Sequence, residues 1–242
     1  MIPVSLIVPY YNESDRLEEF LCRTEALDFF DEIIFVDDGS QIHPAEPIVR
    51  EYLQDYPEGK ISLYRIPVDY GFNAHGARNL AATKAKNEWL CFLDIDMCPD
   101  ADWCEAFFRM VEHCGDDQFV LISMLGDDPG NIFACRKSHF FAAGGYDEEL
   151  RGWHMGDKLF RYRLDRLALP RLMNEKIVCN RLGRKVKVDD SITGTIYPDD
   201  RTVIQRNAKH CNAALRMIRN RNKQPETWTD IPILQFDSER IL

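Results

Sequence analysis

No stretch of this 242-residue chain approaches the roughly 18 consecutive apolar residues that a membrane span requires. Its eight cysteines include no Cys-x-x-Cys pair, so the usual spacing of a zinc or redox site is missing. Bases are scarce beside acids, 30 against 40 for a net charge of -10. That balance argues against nucleic acid, whose binding depends on Lys and Arg neutralising phosphates. There is no internal repeat, low-complexity tract or clear linker. Met1 runs straight into Ile2-Pro3-Val4-Ser5-Leu6-Ile7-Val8 without a basic leader or cleavage site, so we expect a reduced, cytoplasmic protein with no transmembrane segment.

The chain has an apolar fraction of 45%, enough for a substantial core. Short β-rich apolar runs at 3–9, 32–36, 61–66, 88–93 and 118–125 alternate with amphipathic stretches at 13–27, 44–56, 73–87 and 100–113. This alternation predicts strand-helix-strand units, hence an α/β fold with a mainly parallel, Rossmann-like central sheet flanked by helices. The wholly apolar runs fit strands covered on both faces. After the turn-rich Gly126-Asp127-Asp128-Pro129-Gly130 the pattern changes, with helices predicted near 157–168 and 200–221. We expect a single domain over 1–223, with a nucleotide-binding half at about 1–125 and an acceptor-side half at about 126–223. A C-terminal tail follows at 224–242.

Acids fall just past the predicted strands, in Asp37-Asp38-Gly39-Ser40 and Asp94-Ile95-Asp96. In open parallel sheets the ligand crevice lies outside the carboxyl ends of the strands, so these acids should converge on one edge. Side chains at i and i+2 of a strand point the same way, which would set Asp94 and Asp96 side by side as the strand ends. Two such carboxylates suit a hard cation, Mg2+ or Mn2+, that also binds substrate phosphates. The plainer alternative is a strand exit where Asp94 or Asp100 caps the next helix. Likewise, Asp37 and Asp38 either make turn-type hydrogen bonds around a positive-φ Gly39 or accept bonds from a nucleoside.

Taken in order, Val8-Pro9-Tyr10-Tyr11-Asn12-Glu13, Val36-Asp37-Asp38-Gly39-Ser40, Gly76-Ala77-Arg78-Asn79 and Phe92-Leu93-Asp94-Ile95-Asp96 closely resemble the motifs of family 2 glycosyltransferases. Gly144-Gly145-Tyr146-Asp147-Glu148 and Gly152-Trp153-His154-Met155-Gly156-Asp157 resemble the acceptor-side segment of galactosyltransferase-type relatives. The resemblance implies a GT-A fold, a nucleotide-diphosphosugar donor with UDP first among carriers, Mn2+ or Mg2+, and inversion at the anomeric carbon. It places Pro9, Tyr11, Glu13 and Asp38 around the nucleoside and Arg78 near the nucleotide. Asp94 falls at the ribose or metal, and Asp96 is the direct metal ligand. The acceptor would be a glycan or lipid-linked glycan.

Transfer also needs a carboxylate to take the acceptor's proton, and Asp157 is the candidate, with helix capping its plainer role. Asp147 and Glu148 are the fallback, better suited to orienting the donor's hydroxyls. Trp153 could stack on a sugar. Relatives commonly carry an acid just before the base, where this chain has Gly156. They often add a histidine to the metal; Ser191–Tyr197 contains none, leaving His210. The Gly156 departure motivates a second hypothesis, a sugar-nucleotide-binding protein impaired in turnover. A sugar-nucleotidyltransferase is disfavoured, because Tyr10-Tyr11-Asn12-Glu13-Ser14 stands where its Gly-rich, basic loop belongs. The basic cluster Arg216, Arg219, Arg221 and Lys223 could meet phosphate, or simply complement a helix C-terminus.

Overall fold

A computed structural model of the chain describes residues 2–124, 132–150, 156–167, 171–181, 209 and 238–242. Four strands form its parallel half: β1 (Val4–Tyr10), β2 (Glu32–Asp37), β3 (Ile61–Arg65) and β4 (Trp89–Phe92). The chain winds from β1 to β2 and β3 on one side, then returns to place β4 on the other side of β1. That reversal beside β1 is the point at which a doubly wound sheet opens a crevice. Helices α1 (Ser14–Cys22), α2 (Glu46–Tyr52) and α3 (Ala74–Lys84) make the crossovers.

Beyond β4 the sheet turns mixed. β5 (Met97–Cys98) and α4 (Ala101–His113) lead into β6 (Phe119–Met124) and β7 (Ile132–Arg136). The short α5 (Lys137–Ala142), α6 (Gly156–Arg166), β8 (Arg171–Arg181) and β9 (Glu239–Arg240) complete the described elements. The sheet order is β5-β8-β6-β7-β4-β1-β2-β3-β9. β7 runs antiparallel to both β4 and β6, so parallel pairing dominates only the N-terminal half. β9 closes the β3 edge, where Tyr64 and Arg65 pair with Arg240 and Glu239.

The apolar runs split by period two into two cores. Leu6, Val8, Ile33 and Phe35 pack with Trp103 and Phe107 of α4 on one face. On the other, Ile7, Ile34, Val36 and Phe92 pack with Ala77 and Ala81 of α3 and Phe140 of α5. Each such aromatic or aliphatic side chain contributes about 1.5–3 kcal/mol when fully buried. The helix starts are capped: Asp100 accepts from Trp103 N at 2.8 Å and Asn73 from Gly76 N at 3.2 Å, each cap contributing about 1 kcal/mol. Asp100 therefore takes the capping role left open between it and Asp94. Cys22, Cys91, Cys98, Cys104, Cys114 and Cys135 are free, all but Cys22 buried. Among the described residues, no helix is long and apolar enough to cross a membrane.

The aligned strand ends position the rim of the crevice. Tyr10 registers with Asp37, and Asp37 with Arg65, while Asp38 N donates to Tyr10 O at 2.9 Å and Leu93 N to Ile7 O at 3.0 Å. The loops after β1 and β2 consequently leave the sheet at one level, while β4 ends with Phe92 beside Ile7, short of them.

Candidate active site

The β1 and β2 exits form the first wall. Pro9 is buried within β1 opposite Val36. Beyond the strand, Asn12 takes a positive φ of 51° and its Oδ1 accepts from Ile42 N and His43 N at 3.1 and 3.0 Å. The hydroxyl of Tyr11 donates to Asp69 at 3.1 Å. Adjacent aspartates after β2 divide their work. Asp37 builds the turn, accepting from Ser40 N at 2.8 Å and Ala45 N at 2.9 Å, while Asp38 accepts from Asn73 N at the start of α3. Gly39 has φ of +77°, and a Cβ there would meet Val68 O at 2.8 Å. Asp37 thus takes the turn reading of the motif, while Asp38 faces the α3 entry.

The second wall does not come from strand alternation. β4 ends at Phe92, and Asp94–Met97 form a turn in which Met97 N donates to Asp94 O at 3.0 Å. The expectation that Asp94 and Asp96 sit side by side on a strand is therefore corrected, since the period of two lapses once the ladder stops. The two carboxylates are held by different arginines. Arg16 of α1 bridges Glu13 at 2.8 Å and Asp96 at 3.6 Å. Arg78 of α3 bridges Asp94 and Asp157, its Nη1 lying 2.8 Å from Asp157 Oδ1.

Arg78 is the hub of the site. Its side chain is only 3% exposed, and its guanidinium lies 5.1 Å over the Tyr146 ring. Tyr146 in turn donates its hydroxyl to Asp157 Oδ1 at 2.9 Å and stacks on Phe160 of α6 at 4.6 Å. Burial alone would push the Asp157 carboxyl up, but Arg78, His75 and the Tyr146 hydroxyl outweigh it and hold it below the usual carboxylate range. Asp94 goes the other way: burial raises it more than Arg78 lowers it, and Asp157 and Asp96 add to the rise. Two carboxylates on one guanidinium are thus driven apart in proton affinity. Among the described residues, the carboxylate bonds of Asp157 run to the Arg78 and Tyr146 side chains.

Glu148 and Asp147 serve the scaffold. Glu148 is buried and accepts from Asn79 Nδ2 at 2.8 Å, and Asp147 faces Arg163 at 3.7 Å. Three residues were missed by sequence reasoning. Tyr146 and His75 carry no isolated signal as site residues, and Asn73 reads only as a helix start. Trp153, His154, His210, the 191–197 segment, the helix predicted at 200–221 and the basic cluster at 216–223 lie outside the described residues.

The sequence pattern of the glycosyl transferase family 2 matches residues 5–189, about three quarters of the chain. Chondroitin synthase of Escherichia coli is 32% identical over 122 residues, covering 49% of this chain and 17% of that protein. The chain spans less than half the length of each curated relative it matches. Among solved structures, S. aureus TarS 1-349 in complex with UDP-GlcNAc has a TM-score of 0.63 at 19% identity, covering 77% of this chain and 60% of that one. The mannosyltransferase PcManGT from Pyrobaculum calidifontis, in complex with GDP-Man and Mn2+, has a TM-score of 0.61 at 20% identity, covering 76% and 59%. These likenesses identify the fold as GT-A. With acids gathered at the carboxyl ends of β1, β2 and β4 and a family pattern running through them, the chain belongs to the family 2 glycosyltransferases.

Proposed function

We propose that the chain transfers a sugar, with inversion and with a divalent metal, from a nucleotide-diphosphosugar to the hydroxyl of a glycan or lipid-linked glycan. UDP is the first candidate carrier. The observation that carries this proposal is the Arg78 bridge, which sets the metal-side acid Asp94 and the base candidate Asp157 at the two ends of one guanidinium.

The donor set fits a hard cation. Asp94 and Asp96 offer carboxylate oxygens, the donors that hard cations prefer, and each faces an arginine that an incoming cation would have to displace or outcompete. Among the described residues no group of three metal-ligating side chains forms; Mg2+ and Mn2+ commonly take one or two carboxylates together with substrate phosphates. When bound, such an ion neutralises the charge that develops on the departing nucleotide. Pro9, Tyr11, Glu13 and Asp38 would line the nucleoside pocket.

Asp157 holds and moves the proton. Its Oδ1 takes the bonds from Arg78 and Tyr146, and its Oδ2 has no bond among the described residues and would accept an acceptor hydroxyl. Its depressed proton affinity keeps it ionised across the neutral range, so it is ready to receive that proton as the hydroxyl attacks the anomeric carbon. Direct displacement follows, with the nucleoside diphosphate leaving on the opposite face and no covalent enzyme intermediate.

Calorimetry with UDP-GlcNAc and GDP-mannose, each with and without Mn2+, tests the proposal. Metal-dependent binding of one of them is the expected outcome. Failure of both nucleotide sugars to bind, with or without metal, removes the basis for it.

A further inference from the structure

Gly156 opens α6, one residue before Asp157. A Cβ built on it would lie 1.8 Å from His75 Nε2 and 2.4 and 2.5 Å from the neighbouring ring carbons Cδ2 and Cε1. These separations are far inside van der Waals contact, and the obstacle is a packed ring rather than the tip of a flexible chain. The imidazole of α3 already fills the volume that any side chain at 156 would need.

That ring is fixed. His75 Nδ1 lies 2.6 Å from the Leu150 carbonyl oxygen, and a carbonyl can only accept, so Nδ1 carries the proton. In the neutral ring Nε2, the atom against Gly156, is then the lone-pair nitrogen. The ring also rests against Tyr146, with centroids 5.3 Å apart. Two asparagines of the same region hold this arrangement. Asn73 donates to Glu148 O at 3.1 Å. Asn79 donates to Tyr146 O at 2.9 Å and accepts from Tyr146 N at 2.8 Å. The first turns of α3 are thereby tied to the 146–150 segment that leads into α6. The charged groups facing the ring are Asp157, Arg78 and Asp147, and burial keeps its proton affinity below the ordinary histidine range.

We propose that His75 is a positioning residue for Asp157. By occupying the side-chain volume of residue 156, its imidazole excludes any side chain there and fixes where α6 presents the Asp157 carboxylate. On this account Gly156 marks a steric exchange with His75 and not decay of the site. The functional part of the proposal rests on Asp157 being the base, as proposed above.

The test uses His75→Asn, whose Nδ2 can reproduce the bond to Leu150 O while removing the ring atoms that face residue 156. Thermal unfolding of the full chain is measured for wild type, Gly156→Ala, His75→Asn and the double variant. Gly156→Ala alone should lower Tm by about 5 °C or more, and in the His75→Asn background by no more than about 2 °C. Equal losses in both backgrounds would overturn the steric exchange. Carboxyl-detected NMR then follows Asp157, whose titration midpoint should rise by about half a pH unit or more in His75→Ala and less in His75→Asn. An unmoved midpoint in folded His75→Ala overturns the positioning role. UDP-GlcNAc and GDP-mannose binding by wild type with Mn2+ reports separately. Coupling without binding discards the glycosyltransfer proposal alone, and binding without coupling discards the role of His75.

Discussion

Replacing Arg78 by Met keeps an unbranched stem under the guanidinium's position and deletes the charge shared by Asp94 and Asp157. Removing one partner of a buried ion pair costs about 3–5 kcal/mol, because it strands uncompensated charge. Here the stranded side chains of Asp94 and Asp157 keep 25% and 21% of their exposure, so water offsets part of the loss and the low end, about 3 kcal/mol, applies. In a chain of this size that is roughly 6–12 °C in Tm. The deficit should depend on pH in a defined direction. Wild-type Asp157 has a folded proton affinity below its ordinary value of 3.8, a bonus present above that pH and lost as pH falls through the lower folded value. In Arg78→Met both carboxylates lose their counter-charge and burial raises them, a penalty present at neutral pH and relieved as pH falls through the raised values. Both effects shrink the gap between variant and wild type toward acid, the first only below 3.8 and the second already above it. Unfolding at pH 7 and pH 4.5 therefore reads the second. A gap below 1 kcal/mol at pH 7, or one that widens toward acid, refutes the Arg78 bridge as the electrostatic centre of the site.

Asp157→Asn should retain nucleotide-sugar binding in calorimetry and lose transfer by about 10² or more in a nucleotide-release assay; unaltered turnover would remove Asp157 from the base role. Asp96→Asn should abolish the Mn2+-dependent part of nucleotide binding while leaving the fold's Tm within a few degrees, and full metal dependence in that variant would point away from Asp96 as ligand. Gly39→Ala should destabilise by about 1–3 kcal/mol in denaturant unfolding, since it combines a left-handed φ with a Cβ pressed on the backbone of Val68. A neutral Gly39→Ala would mean that the Val68–Asp69 backbone yields there.

The strands of the N-terminal half were legible because their apolar runs are short, bounded by turns and covered on both faces, as Ile33–Val36 illustrates between two cores. The helix start at Asp100 was legible for a local reason, a side-chain acceptor ahead of an amphipathic run, whereas the stretch at 73–87 was read without its Asn73 cap. What period-two logic could not supply was the Asp94–Asp96 turn, because its geometry depends on a backbone bond from Met97 and not on side-chain pattern. The mixed half was less legible still. β7 pairs antiparallel with β4, with Phe133 stacked on Phe92 at 4.7 Å, a pairing between segments distant in sequence that local patterning does not reveal. Asp157 was found by resemblance, but its partners Tyr146 and His75 were not, since each acts through a contact to a residue distant in sequence.

The arrangement of Arg16 leads to a final expectation. It sits 2.8 Å from Glu13 and 3.6 Å from Asp96, with its side chain 16% exposed, so it holds positive charge where the metal is proposed to bind. A divalent cation on Asp96 must therefore displace or repel this guanidinium. At about 4 Å two unit charges interact by about 1 kcal/mol in water and about 4 kcal/mol near a protein surface. Arg16 can relax toward Glu13, which lowers the penalty toward the smaller figure. Arg16→Gln should then bind Mn2+ in the absence of nucleotide about fivefold more tightly, read by paramagnetic resonance of free Mn2+. Weaker Mn2+ binding in the variant would show instead that Arg16 orders Asp96 for the metal more than it opposes it, and would make the Glu13–Arg16–Asp96 chain part of the metal site's support.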